Sequence, residues 1–138
     1  MADLAITAAN VLKSPNGTIA VLTAAVAITR GQYIYTLAAG TAGLADSNGS
    51  TPANTVTGVA LADVGVGQPV PYVPTDTSLT TGFTASAAGV TIYLSSDTAG
   101  AATETYADID SGSTVIILGN MLTTTTMKFT PLVGGVKP

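Results

Sequence analysis

The 138-residue chain carries four Lys or Arg against eight Asp or Glu, a net charge of −4, with no His and no Cys. At 9% charged, against about a quarter in an ordinary soluble domain, it cannot build the cationic footprint that displaces counterions from phosphates, so no direct nucleic-acid contact is expected. The missing Cys and His remove thiol nucleophiles, disulfides, the usual zinc sites and the Ser-His-Asp triad; no cofactor or metal and no enzymatic activity are expected.

Length suits one domain with a single core. Mean hydropathy is high, at +0.48, yet the longest apolar stretch, Thr18 to Thr29, falls well short of the roughly 20 residues a membrane helix needs, so no membrane contact is expected. The opening Met1-Ala2-Asp3-Leu4-Ala5-Ile6 lacks the basic start of a secretory signal, which makes a cytosolic product the expectation. Ala, Thr, Val and Gly dominate, while Glu occurs once. Branched Thr and Val fit pleated, half-buried surfaces and lose entropy in helices, so the fold class is all-β, a small barrel with at most one or two short helices.

In chain order, an apolar N-terminal arm spans 1–13 and a single β-rich domain spans 14–138. Pro15-Asn16-Gly17 makes a tight turn, and Thr18 to Leu22 reads as a strand. Thr23 to Ile28 is open between strand and helical turn. Gln32 to Leu37 follows as a strand, and the small, polar stretch from Ala45 to Asn54 reads as an exposed loop. Further strands are expected at Thr55–Leu61, Val70–Val73, Thr91–Leu94, Thr114–Leu118 and Thr125–Phe129.

Four segments place a Gly three residues before a β-branched residue, each like a turn feeding a strand: Gly31-Gln32-Tyr33-Ile34, Gly67-Gln68-Pro69-Val70, Gly89-Val90-Thr91-Ile92 and Gly112-Ser113-Thr114-Val115. Thr57-Gly58-Val59 and Leu118-Gly119-Asn120 add a second pattern, a Gly inside a strand-like run, which marks a bulge, a bend or a close backbone approach. The pairing of Gly31 with Gly58 and of Gly89 with Gly119 suggests two related halves of one small barrel.

Residues that could carry chemistry are few. Asp108-Ile109-Asp110-Ser111-Gly112 begins like a calcium loop, but Gly112 is fifth rather than sixth and the twelfth position is Gly119 instead of a bidentate Glu, so a turn is the better reading. Gly65-Val66-Gly67 lacks the third glycine of a dinucleotide fingerprint and runs into Pro69. The apolar chain ends, Leu4 to Leu12 and Phe129 to Val136, need to be tied down, either by their own domain or by a neighbour.

The opening Met1-Ala2-Asp3-Leu4, the Ile28-Thr29-Arg30-Gly31-Gln32-Tyr33 segment, Thr57-Gly58-Val59-Ala60-Leu61 followed by Gly67-Gln68-Pro69-Val70, and Ile117-Leu118-Gly119-Asn120-Met121 together resemble the capsid decoration, or cement, proteins of tailed bacteriophages. The resemblance implies a β-tulip-like domain on the outer surface of the virion capsid, made in the host cytoplasm. It implies a homotrimer, or in some members a dimer, clamping neighbouring subunits of the major capsid protein. It also implies an N-terminal arm reaching the lattice, with Leu4, Ile6, Val11 and Leu12 as capsid-contact candidates, by strand addition to a capsid edge. The competing expectation is a head-fibre or adhesin-like module that binds glycans, which calls for an exposed aromatic cluster.

Overall fold

Two sheets build the molecule, and the computed structural model describes residues 3–50 and 52–138. Strands β1 (Ala20–Ala24), β2 (Tyr33–Thr36), β3 (Thr41–Leu44), β4 (Gly58–Ala60) and β5 (Pro69–Val73) close into a barrel in the order β1-β3-β2-β4-β5. Strands β6 (Asp76–Thr80), β7 (Thr91–Leu94), β8 (Ala102–Thr103), β9 (Thr114–Met121) and β10 (Thr126–Val136) form a second sheet ordered β6-β10-β9-β7-β8. The only helical pieces among the described residues are 3-10 turns at Ala8–Asn10 and Tyr106–Asp108, so the chain is all-β.

The period of two explains how one chain fills two cores. On β2, Tyr33 points out of the barrel into the seam with the second sheet, where its ring lies 5.8 Å from that of Phe129. Its neighbour Ile34 points into the barrel with Ala24, Ile28, Ala42, Ala60 and Val70. Both residues are fully buried, so β2 shows no alternation of exposure at its start. The seam is the larger core: Val59 and Val73 of the barrel meet Leu79, Ile92, Leu94, Ile116, Leu118 and Met127 of the sheet.

Expected strands at Thr91–Leu94, Val70–Val73 and the start of β9 fall where the structure has them. Three observed strands were not anticipated. β3 is Thr-Ala-Gly-Leu, whose small residues fit beneath a neighbour: a Cβ on Gly43 would lie 2.7 Å from the Tyr35 ring. β6, Asp-Thr-Ser-Leu-Thr, buries Leu79 as its one large apolar residue, and β8 has two residues. The loop from Ala45 is also less exposed than its composition suggests. Ala45 and Ser47 are buried, and Ser47 joins the two sheets, with its hydroxyl donating to Ser95 O and its carbonyl accepting from Thr114 N–H.

The two glycine-spaced halves are real as a repeated pairing but do not share one barrel. Ile34 stands opposite Gly58 across β2–β4 in the barrel, and Ile92 stands opposite Gly119 across β7–β9 in the open sheet. In each case the glycine allows close backbone approach by the next strand. A Cβ on Gly58 would lie 2.6 Å from Val73 O, and one on Gly119 would lie 2.0 Å from Lys128 O. The device recurs, while closure does not, because β6 and β8 remain as edges of the second sheet.

Candidate interaction surface

Of the arm expected to reach a neighbour, Met1 and Ala2 lie outside the described residues, and the remainder is docked on its own body. Leu4 donates its N–H to Ala102 O at the β8 edge, and Thr7 donates to Gly82 O just after β6. Leu12 exchanges both backbone hydrogen bonds with Thr80 at the end of β6. The arm therefore runs from one edge of the second sheet to the other and occupies backbone groups that would otherwise template aggregation.

Its side chains are placed just as firmly. Leu4 and Ile6 pack on the seam core, and Val11 is fully buried. Val11 and Ile6 sit in a socket made by Gly31, at the entry to β2, and Gly82, beyond β6. A Cβ on Gly31 would lie 2.7 Å from both side chains, and one on Gly82 would lie 2.6 Å from Val11 Cγ2. Both glycines also hold positive φ, +95° and +81°, which side-chain-bearing residues rarely adopt. The Arg30 guanidinium donates to Val11 O from the barrel side, so the arm clasps barrel to sheet. Of the four capsid-contact candidates, only Leu12 exposes its side chain broadly, at 54%.

The root of the arm is fixed by Asp76, a buried carboxylate that accepts from Ser14 N–H at 2.7 Å, from the Ser14 hydroxyl and from Ser78 N–H. Glu104 accepts from the N–H and hydroxyl of Ser86. Among the described residues no group of three or more acids could hold a metal ion, and Asp110 lies in a turn closed by Ser113 N–H. Asp97 is exposed, and its pKa is raised by lost hydration first, then by repulsion from Asp110, Asp3 and Asp108. Gly65-Val66-Gly67 is a tight turn whose Gly65 N–H donates to the Gln68 side chain. Among the described residues no helix is long and apolar enough to cross a membrane.

Exposed apolar side chains concentrate at two places, the first within the apolar tail expected to need a partner surface and the second not singled out from the sequence. One is the C-terminal half of β10, with Leu132, Val133 and Val136. The other is the outer surface of the barrel, with Ile19 and Val21 on and beside β1 and Val26 and Val66 past its end. The signal for the second was present in the sequence: no charged residue occurs from Ser14 to Thr29 or from Val64 to Thr75.

Along β1, Ala24 N–H donates to Gln68 O toward β5, and Ala25 N–H donates to Ala42 O toward β3. Even-numbered residues of this stretch thus face β5 and odd-numbered ones face β3. Pairing with β3 covers only Thr23 and Ala24, whereas pairing with β5 runs from Ala20 to Thr23. Ile19 and Val21 consequently turn their backbone N–H and C=O groups toward a side on which no described strand pairs with them.

No family model, no curated protein and no solved structure matches the chain.

Proposed function

We propose that this chain is a structural virion protein that binds the outer surface of an expanded phage head and stabilises it by clamping neighbouring major-capsid subunits. The observation that carries this reading is an exposed, apolar and uncharged barrel face, with Ile19, Val21, Val26 and Val66, on a chain that is 9% charged. The largest apolar patch of a protein is often its functional surface, and on a chain with so few charges this one suits contact with other proteins. The sequence resemblance to decoration proteins supplies the kind of partner. A ligand that binds only the assembled, expanded lattice stabilises it by its binding free energy. A homotrimer touching several capsomers at once adds avidity.

The aromatic residues favour this reading over glycan binding. Tyr33 is buried, and Tyr106, the most exposed tyrosine, packs edge-on against Tyr93 with the Lys137 ammonium 4.7 Å from its ring centroid. That leaves little open ring face for a sugar.

The test is co-sedimentation of the purified protein with expanded capsids that lack it. Binding that raises the temperature at which the shells release their DNA is expected. Equal binding to unexpanded proheads, or none to either, overturns the proposal. Deleting residues 1–12 is a poor probe of contact, because it removes Val11 from its glycine socket and unpins the two sheets. Leu12→Lys leaves that socket intact and tests whether the exposed end of the arm touches the lattice.

A further inference from the structure

We infer that the open edge of β1, at Ile19 and Val21, is a strand-addition site that takes an extended, uncharged, β-branched segment of a partner protein; on the reading above, that partner is the capsid subunit. Three observations converge on this edge rather than on the other free edge of the molecule, the C-terminal half of β10.

The first is the absence of protection. The β10 edge is blunted: Pro131 offers no N–H, and the β9–β10 register shifts between Phe129 and Leu132 and again between Val133 and Val136. Lys128 and Lys137 flank it. Proline, register shifts and lysines are the devices by which proteins keep an edge from pairing. The β6 and β8 edges are covered by Leu12 and Leu4 of the arm. The β1 edge has none of these. Pro69 and Pro71 are on the neighbouring strand β5, and Pro71 turns its backbone away from β1, with its carbonyl accepting from Leu61 N–H, so neither proline protects the open side of β1.

The second is side-chain chemistry. Ile19 and Val21 are 50% and 60% exposed and lie two residues apart, so they project on one face beside the open edge. The nearest charges along the chain are Lys13, Arg30, Asp63 and Asp76, and Asp76 is already occupied by Ser14. A charged guest would lose hydration against this face and find no counter-charge, so the fitting segment is uncharged.

The third is size, which decides between a second copy and a different partner. Even with Val26 and Val66 included, the exposed large side chains supply on the order of 400 Å², about half of the roughly 800 Å² per partner that a stable interface buries. Two copies joined edge to edge by so short a strand would not hold. A segment presented at many equivalent positions of a lattice would, because each weak contact is reinforced by the others.

The experiment uses the full chain and the blocked peptide acetyl-Thr-Val-Thr-Val-Thr-amide at millimolar concentration, read by amide hydrogen exchange. The Ile19 and Val21 amides should become at least tenfold more protected, with Ala24, already bonded to Gln68, unchanged. The same peptide N-methylated at alternate residues on both edges should give no protection. Val21→Lys, at an exposed position, should keep the melting temperature and lose the protection. Protection elsewhere, or none at Ile19 and Val21, overturns the inference. So does protection without peptide that rises with protein concentration, which would make the occupant a second copy. Capsid co-sedimentation separates this inference from the functional reading. If wild type and Val21→Lys bind capsids equally, the edge is not the contact while the reading stands. If neither binds capsids but the peptide protects Ile19 and Val21, the reading fails and the edge site stands.

Discussion

The barrel and the open sheet use the same glycine-opposite-isoleucine pairing, yet they meet solvent in opposite ways. The sheet region, residues 76–138, carries most of the charge, and both of its edge strands are touched by the arm. The barrel, residues 18–75, has Arg30, Asp46 and Asp63 as its charged residues and leaves the first half of β1 without a partner on its β3 side. A nominally closed barrel is thus the half with an unprotected edge, whereas the nominally open sheet has its two edge strands capped by the arm and its remaining edge, on β10, blunted. A closed order of strands does not guarantee closure along the length of each strand, because β1 meets β3 over two residues only.

The comparison breaks most visibly at its shared glycines. Gly119→Ala would put a Cβ 2.0 Å from the backbone carbonyl of Lys128, so β9 and β10 must separate. The expected loss is about 4 kcal/mol, in the exceptional range for one substitution. Gly58→Ala meets the Tyr72 ring and Val73 O at 2.6 Å; the ring can turn aside but the carbonyl cannot, and because its overlap is less severe than at Gly119 a smaller loss, about 3 kcal/mol, is expected. Urea unfolding of both variants measures the pair. Equal losses would mean that the barrel backbone is as unyielding as the sheet's and would remove this difference between the halves.

A smaller effect probes how the arm seals the sheet. Asp76→Ala strands the Ser14 N–H and hydroxyl and the Ser78 N–H, and about 2–3 kcal/mol should be lost. Hydrogen exchange at Leu12 and Thr80 should speed up together as the β6 edge opens. If the variant loses stability while those two amides stay protected, the glycine socket around Val11 alone holds the arm and Asp76 serves only its own turn.

How much of this the sequence carries follows from what each residue type announces. Thr91–Leu94 and Thr114–Leu118 are legible because branched and aromatic residues alternate with the pleat. β3 and β6 are not, since a strand that needs Ala and Gly to pass under Tyr35, or that buries a single Leu79, looks like a loop. The glycine spacing shows that a pairing recurs, but a period carries no information on whether the sheet containing it closes. The arm's apolarity shows that it must be buried, and leaves open against what. The socket depends on Gly31 and Gly82, which lie 51 residues apart and meet only in the fold. The one-sided pairing of β1's first half is a register property, invisible in residue type, although the charge-free run around it is plain.

The finest test falls on the seam where the two halves meet. Tyr33 is fully buried between them, and its hydroxyl has no hydrogen-bond partner. Burial holds its ionisation above the ordinary tyrosine range, so it stays neutral at any pH the fold tolerates. An unpaired buried hydroxyl opposes folding, whereas the ring, against Phe129 at 5.8 Å, supports it. Tyr33→Phe keeps the ring and removes the liability, so a gain of about 1 kcal/mol is expected in urea unfolding. A loss of similar size would mean that a buried water satisfies the hydroxyl, and the junction would then be held by a polar link as well as by apolar packing. A gain leaves barrel and sheet joined through Tyr33 by packing alone.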